Sequence, residues 1–154
     1  MAFVYAYSVS DENVAVQDFN ADAALAGKRG DLVILNGAGN VVAPADNTAA
    51  SVLGVYEGGN FRGITEGSPY AATTVTSNSQ SGKLAKVRVA THDAVFRAPY
   101  TGGTPVVGTK YGVTSPVDPK IDVANTVTGA IYQVVEVDTE SGNCFVIITG
   151  RQLG

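Results

Sequence analysis

Phe3, Tyr5 and Tyr7 alternate with Val4 and Ala6, a period of two that predicts a short strand with three aromatics on one side. Residues 14 to 19 read as another extended piece. Asn20, ahead of Ala21 to Ala26 and Gly27, carries an N-cap, helix formers and a terminating glycine, which predicts at most two helical turns. From Asp31 the pattern strengthens: Asp31 to Leu35, a turn over Asn36 to Asn40, and Val41 to Ala43 closed by Pro44 read as a hairpin. Ser51 to Tyr56 is the next strand, with Gly58 and Gly59 as its turn and Phe61 to Ile64 pairing back. Pro69 to Gly82 is uncharged and rich in Thr, Ser and Asn, and its end, Ser77 to Gly82, reads as a loop.

Alternation returns at Lys83, with Leu84, Lys86 and Arg88 on one face and Ala85, Val87 and Val89 on the other, so the basic face meets solvent or a partner. Ala94 to Arg97, Lys110 to Thr114, Gly129 to Asp138 and Asn143 to Thr149 complete the strands, with Thr139 to Gly142 turning a long final hairpin. Many short strands and no longer helical period predict an all-β fold. The expected architecture is a small β-barrel or sandwich of short antiparallel strands, with at most one short helix and an extended N-terminal segment. Residues 1–20 form that segment or arm, and residues 21–154 form a single β-barrel domain. A loose internal echo, Gly30 to Val33 then Val52 to Tyr56 against Gly108 to Val113 then Gly129 to Tyr132, points to a strand, loop, strand unit in both halves.

Composition narrows the function. Of 154 residues, one is His, one is Cys and none is Trp, whereas enzymes gather titratable groups around a reacting centre. Charged residues make up 16% against a usual value of about 25%, leaving a neutral surface of Thr, Ser, Asn, Gly and Ala that is easily desolvated against a partner. The net charge of -4 argues against direct nucleic-acid binding, which draws its affinity from clustered Lys and Arg. Cys144 has no partner for an intramolecular disulfide and no Asn-x-Ser/Thr sequon occurs, so synthesis in a reducing cytoplasm is expected. The first basic residue is Lys28, which does not fit a signal peptide, and no apolar run reaches the roughly 18 to 20 residues of a membrane span.

The candidate chemical motifs each have a plainer reading. Gly37-Ala38-Gly39 lacks the third glycine of a dinucleotide loop, because Val42 stands there and a strand follows, so it reads as a hairpin turn. His92-Asp93 at a strand end would need a positioned nucleophile to make a triad, and no nucleophile elbow is present. Asp138 to Asn143 opens like a calcium loop, but Gly142 and Thr149 fall where an oxygen ligand and the bidentate glutamate belong. One His and one Cys are too few strong ligands for zinc. Arg29-Gly30-Asp31 spells an integrin-recognition tripeptide yet leads straight into a hydrophobic strand.

The second half runs Thr91 to Phe96, a small-residue loop through Gly102 and Gly103, Gly108 to Tyr111, Gly129 to Ile131 and a last Val/Ile strand. Gly30 to Val33 and Val52 to Val55 precede it as a matching opening. This order resembles the tailed-bacteriophage capsid cement, or head decoration, proteins, over roughly residues 26 to 150. The resemblance implies a structural protein on the outer capsid surface of the virion that bridges major capsid protein subunits and stabilises the shell. It implies a homo-oligomer, a trimer before a dimer, and no enzyme activity. No catalytic residue, cofactor, metal, nucleic acid or membrane is expected.

The opening segment precedes the part that matches. Phe3, Val4, Tyr5 and Tyr7 are therefore the candidate interface, a strand that adds to a sheet edge of a neighbouring copy or of the capsid. The alternative is a strand paired within its own barrel. Two other functions compete. A ligand- or glycan-binding β module on a virion or cell surface would want Tyr56, Phe61, Tyr70, Tyr100 and Tyr111 gathered on a platform. An enzyme would want Asp118 and Asp122 to converge in a pocket, although they flank Pro119 in an apparent turn.

Overall fold

The computed structural model describes residues 3–10, 16–22, 24–61, 64–65 and 83–153. Among them the fold is all-β. In chain order the strands are β1 (Val4–Ser8), β2 (Val16–Asn20), β3 (Leu32–Leu35), β4 (Val41–Val42), β5 (Gly54–Phe61) and β6 (Ile64–Thr65), then β7 (Lys83–Val89), β8 (Ala94–Thr101), β9 (Lys110–Val113), β10 (Ile121–Asp122), β11 (Tyr132–Asp138) and β12 (Asn143–Ile148).

Five of these strands close into a barrel in the order β8, β10, β9, β11, β12 and back to β8. Closure removes the exposed edges that an open sheet would leave. Residue size explains how so small a ring fills. Along β8 the inward positions Ala94, Phe96 and Ala98 alternate small and large, and Cys144, Val146 and Ile148 face them from β12. Tyr111, Val113, Ile121, Tyr132 and Val134 complete the interior. The final hairpin forms as its sequence predicts, with Asp138 opposite Asn143.

The other sheet runs β2, β7, β5, β3, β4, with β6 on β5. Its middle is covered on both faces, which accounts for continuous apolar runs where a half-buried strand would alternate. Leu32 and Val55, paired in register, join the barrel core, whereas Val33, Leu53 and Tyr56 pack with Ala21, Leu25, Val41, Ala85 and Val87 in a second cluster. The strands approach so closely that a Cβ at Gly54 would overlap the Arg88 carbonyl. The echo between halves appears as two antiparallel pairs, β3 with β5 and β9 with β11.

Two expectations need correction. Ala21 to Ala26 is not helical among its described residues. Ala21 bridges to Val41, Asp22 Oδ1 accepts the Ala24 amide at 2.9 Å, and Leu25 is buried in the second cluster. Two turns are too short to sustain a helix on local propensity, so the burial of Ala21 and Leu25 decides. Gly58 and Gly59 do not turn the chain. Gly58, at φ 115°, absorbs a bulge with Glu57 as the extra residue, and β5 continues to Phe61, where Ile64 pairs back. Pro69 to Gly82, with its expected loop, lies outside the described residues.

Candidate functional site

β1 lies at the edge of the barrel sheet, antiparallel to β8, with Val4 opposite Arg97 and Tyr5 opposite Phe96. Residues 1–20 thus supply an edge strand to each sheet, β1 to the barrel and β2 to the second sheet. Phe3 is buried in the barrel core, edge-on to Tyr132 at 5.4 Å between ring centroids and 6.4 Å from Phe96. Tyr5 is half-buried, edge-on to Phe96 at 6.1 Å, and the Arg88 guanidinium lies 4.6 Å above its ring. The register slips between Tyr5 and Tyr7. That slip breaks the period of two, so the three aromatics do not share one side.

Tyr7 is 43% exposed and Val4 41% exposed. The Tyr7 ring lies 6.3 Å from Phe145, whose neighbours Cys144 and Val146 point into the barrel, so Phe145 points out. Val95 pairs with both Tyr7 and Ile147 and is fully buried, although Ala94 and Phe96 on either side face the interior. The outer face of β1, β8 and β12 therefore carries an apolar row of Tyr7, Val95 and Ile147, beside a row in which Arg97 lies between Val4 and Phe145. Sequence reasoning missed Phe145 and Ile147. The signal was available: once Cys144, Val146 and Ile148 are assigned inward, two large apolar residues remain on the outer face of β12.

The polar groups with chemical potential are tied into local structure. Asp93 accepts from the hydroxyls of Ser8 at 2.8 Å, Thr91 at 2.8 Å and Ser10. The Ser10, Thr91 and Ser8 hydroxyls hold its carboxyl well below the usual carboxylate range. The neighbouring His92 is exposed. Asp138 caps its own hairpin turn, accepting from the Ser141 hydroxyl at 2.7 Å and the Glu140 amide at 3.2 Å, and these bonds lower its pKa, the Ser141 hydroxyl most. Asn36 Oδ1 receives the Ala38 and Asn40 amides, and Gly39 sits at φ 77°, which makes Gly37 to Gly39 a hairpin turn. Asp31 is buried, its carboxylate accepting the Lys28 amide at 2.8 Å and the Asp118 amide at 2.9 Å, so the tripeptide does not display its acid.

Asp122 caps the turn at Ala124, and the Asp118 backbone amide donates to the Asp31 carboxylate. Burial pushes the Cys144 thiol up to about 12. Among the described residues no group of three or more His, Cys, Asp or Glu side chains is placed to hold a metal. Of the five aromatics a glycan platform would gather, Tyr56 and Tyr111 are in the core, and the Tyr111 hydroxyl accepts the Val106 amide at 2.9 Å. Tyr100 is half-buried against the barrel core. Tyr70 and the Phe61 side chain lie outside the described residues.

No family model, curated protein or solved structure matches this chain. The apolar side chains left in solvent are its most distinctive surface. They include Val4 and Tyr7 on β1 and the loop residues Val106, Val107 and Val127, the last 85% exposed.

Proposed function

We propose that this protein is a capsid cement, or head decoration, protein that binds the outer surface of an icosahedral phage head. It bridges major capsid protein subunits as a homo-oligomer, a trimer before a dimer, and acts through contact without catalysis. The observation that carries this reading is the outer face of the edge strand β1, where Val4 and Tyr7 are exposed and Tyr7 lies beside the half-buried Phe145 of an otherwise closed barrel. Isolated apolar residues on a surface need no explanation, but a group of them at one sheet edge marks a contact region. The thinly charged surface lowers the desolvation cost of docking. A net charge of -4 suits the exterior of a shell better than its DNA-filled interior.

The reading as a glycan-binding module has less to stand on, because Tyr56 and Tyr111 are core residues. The test is co-sedimentation of the purified protein with intact heads, followed by heating of decorated and stripped particles. Binding with raised heat resistance is expected. No sedimentation with any shell defeats the proposal.

A further inference from the structure

On the outside of the barrel one row of side chains crosses three neighbouring strands: Arg97 on β8, Phe145 on β12 and Glu136 on β11, each paired with the next in register. All three point away from the interior, since Phe96, Ala98, Cys144 and Val146 fill it and Glu136 stands opposite Phe145. Arg97 and Phe145 are half-buried and Glu136 is exposed. Among the described residues neither Arg97 nor Glu136 has a hydrogen-bond or ion-pair partner. Two strand spacings, roughly 10 Å, and the Phe145 side chain separate the two charges. Cation, ring and anion stand in line, so the row is complementary to itself when reversed.

We infer that this face docks on a second copy of the chain, about a two-fold axis that runs along β12. Rotation about that axis sets Phe145 on Phe145 and brings Arg97 of each copy over Glu136 of the other, so the ion pair forms twice. The neighbouring rows agree. On one side Ile147 meets its own counterpart and Val95 meets Gln133; on the other Asn143 meets its own counterpart and Pro99 meets Asp138. No like charges face each other in these rows. An axis across the strands would instead stack Arg97 on Arg97 and Glu136 on Glu136, which like-charge repulsion disfavours. Aligned stacking of two sheet faces is an ordinary packing for antiparallel strands, with Phe145 as the aromatic anchor at its centre. The two β1 strands fall at opposite ends of the contact, so their outer edges point away from it. The inference rests on the homo-oligomeric part of the proposed function, and of the two oligomers named there it selects the dimer.

The test is sedimentation equilibrium of the full-length protein at low salt, where a dimer is expected. Arg97→Glu and Glu136→Arg should each weaken dimerisation about tenfold or more, because each sets two like-charge pairs into the contact, and leave the circular-dichroism spectrum unchanged. The double variant carrying both changes should regain the wild-type affinity. An equal mixture of the two single variants should also dimerise, since each copy then meets opposite charges at both positions, whereas neither variant does so alone. A chain that stays monomeric up to about 1 mM, or that sediments as a trimer, overturns the inference. Single variants that associate like the wild type, or a folded double variant no better than either single one, also overturn it. Dimeric protein that ignores heads leaves the two-fold contact standing and defeats the cement reading, whereas monomeric protein that binds heads does the reverse.

Discussion

Truncating Phe3 to Ala separates a strand seated on its own barrel from one held ready for a neighbour. The ring is 1% exposed, edge-on to Tyr132 and near Phe96, so Phe3→Ala removes its transfer free energy and leaves a cavity. Such truncations cost about 3 to 5 kcal/mol, of which the aromatic contacts account for roughly 0.5 to 1.5. Because β1 is an edge strand that can shift to fill part of the space, the lower end, about 3 kcal/mol, is expected. For a chain of this length that lowers the melting temperature by roughly 10 °C. Tyr7→Ala is the control. Its ring is nearly half exposed and touches Phe145 from outside, so about 1 kcal/mol or less is expected, with a melting shift of about 3 °C at most. Calorimetry and urea unfolding of both variants measure the difference. On heads the order should reverse, with Tyr7→Ala losing retention while its fold is intact. A Phe3→Ala shift no larger than that of Tyr7→Ala would refute the packing argument.

Three further outcomes follow from local geometry. Cys144, fully buried and with its thiol pushed up to about 12, should resist a thiol-specific disulfide reagent until the barrel unfolds; rapid labelling under native conditions contradicts this. Asp93 is depressed below its ordinary 3.8, so its stabilising contribution is complete above that value and drains away as pH falls below it. Asp93→Asn should therefore flatten the acid limb of a melting-temperature profile taken from about pH 5 downward, and an unchanged limb refutes the assignment. Gln152 holds the Leu35 backbone at both ends, Oε1 accepting its amide at 2.7 Å and Nε2 donating to its carbonyl at 3.2 Å. Gln152→Ala should cost about 1 kcal/mol and speed hydrogen exchange at Leu35, and unchanged exchange there counts against the clamp.

Strand positions were legible wherever one face of a strand meets a core and the other does not. Leu84 to Val89 shows this, since the alternation of Leu84, Lys86 and Arg88 with Ala85, Val87 and Val89 matches which side chains end up buried. Legibility ended where a residue outside the local window decides. Ala21 to Gly27 has sound helix chemistry, yet the partner that captures Ala21 is Val41, twenty positions away. Gly58 has the composition of a turn, and only pairing with β7 makes it a bulge. The candidate site was half visible for the same reason. Phe3, Val4, Tyr5 and Tyr7 stand out as a terminal aromatic strand, but the slip after Tyr5 depends on how β1 lies on β8.

The surface around β1 keeps its shape because the barrel and the second sheet are joined through the backbone, as two places among the described residues show. At one, the Leu32 amide donates to the Pro116 carbonyl at 2.9 Å while the Asp31 carboxylate takes the Asp118 amide. At the other, Val52 donates to the Gly150 carbonyl and receives the Gln152 amide, bringing the residues that follow β12 alongside the approach to β5. A Cβ at Gly150 would collide with the Ala50 carbonyl, so this second join depends on glycine. Phe3 adds a third tie, its amide donating to the Gly30 carbonyl. On the proposed function, docking by a surface fixed in this way loses little entropy. In a chain with few chemically potent side chains, acids such as Asp31, Asp93 and Asp138 hold turns and joins, and Asp93, bound to Ser8, helps to fix the strand that presents Val4 and Tyr7.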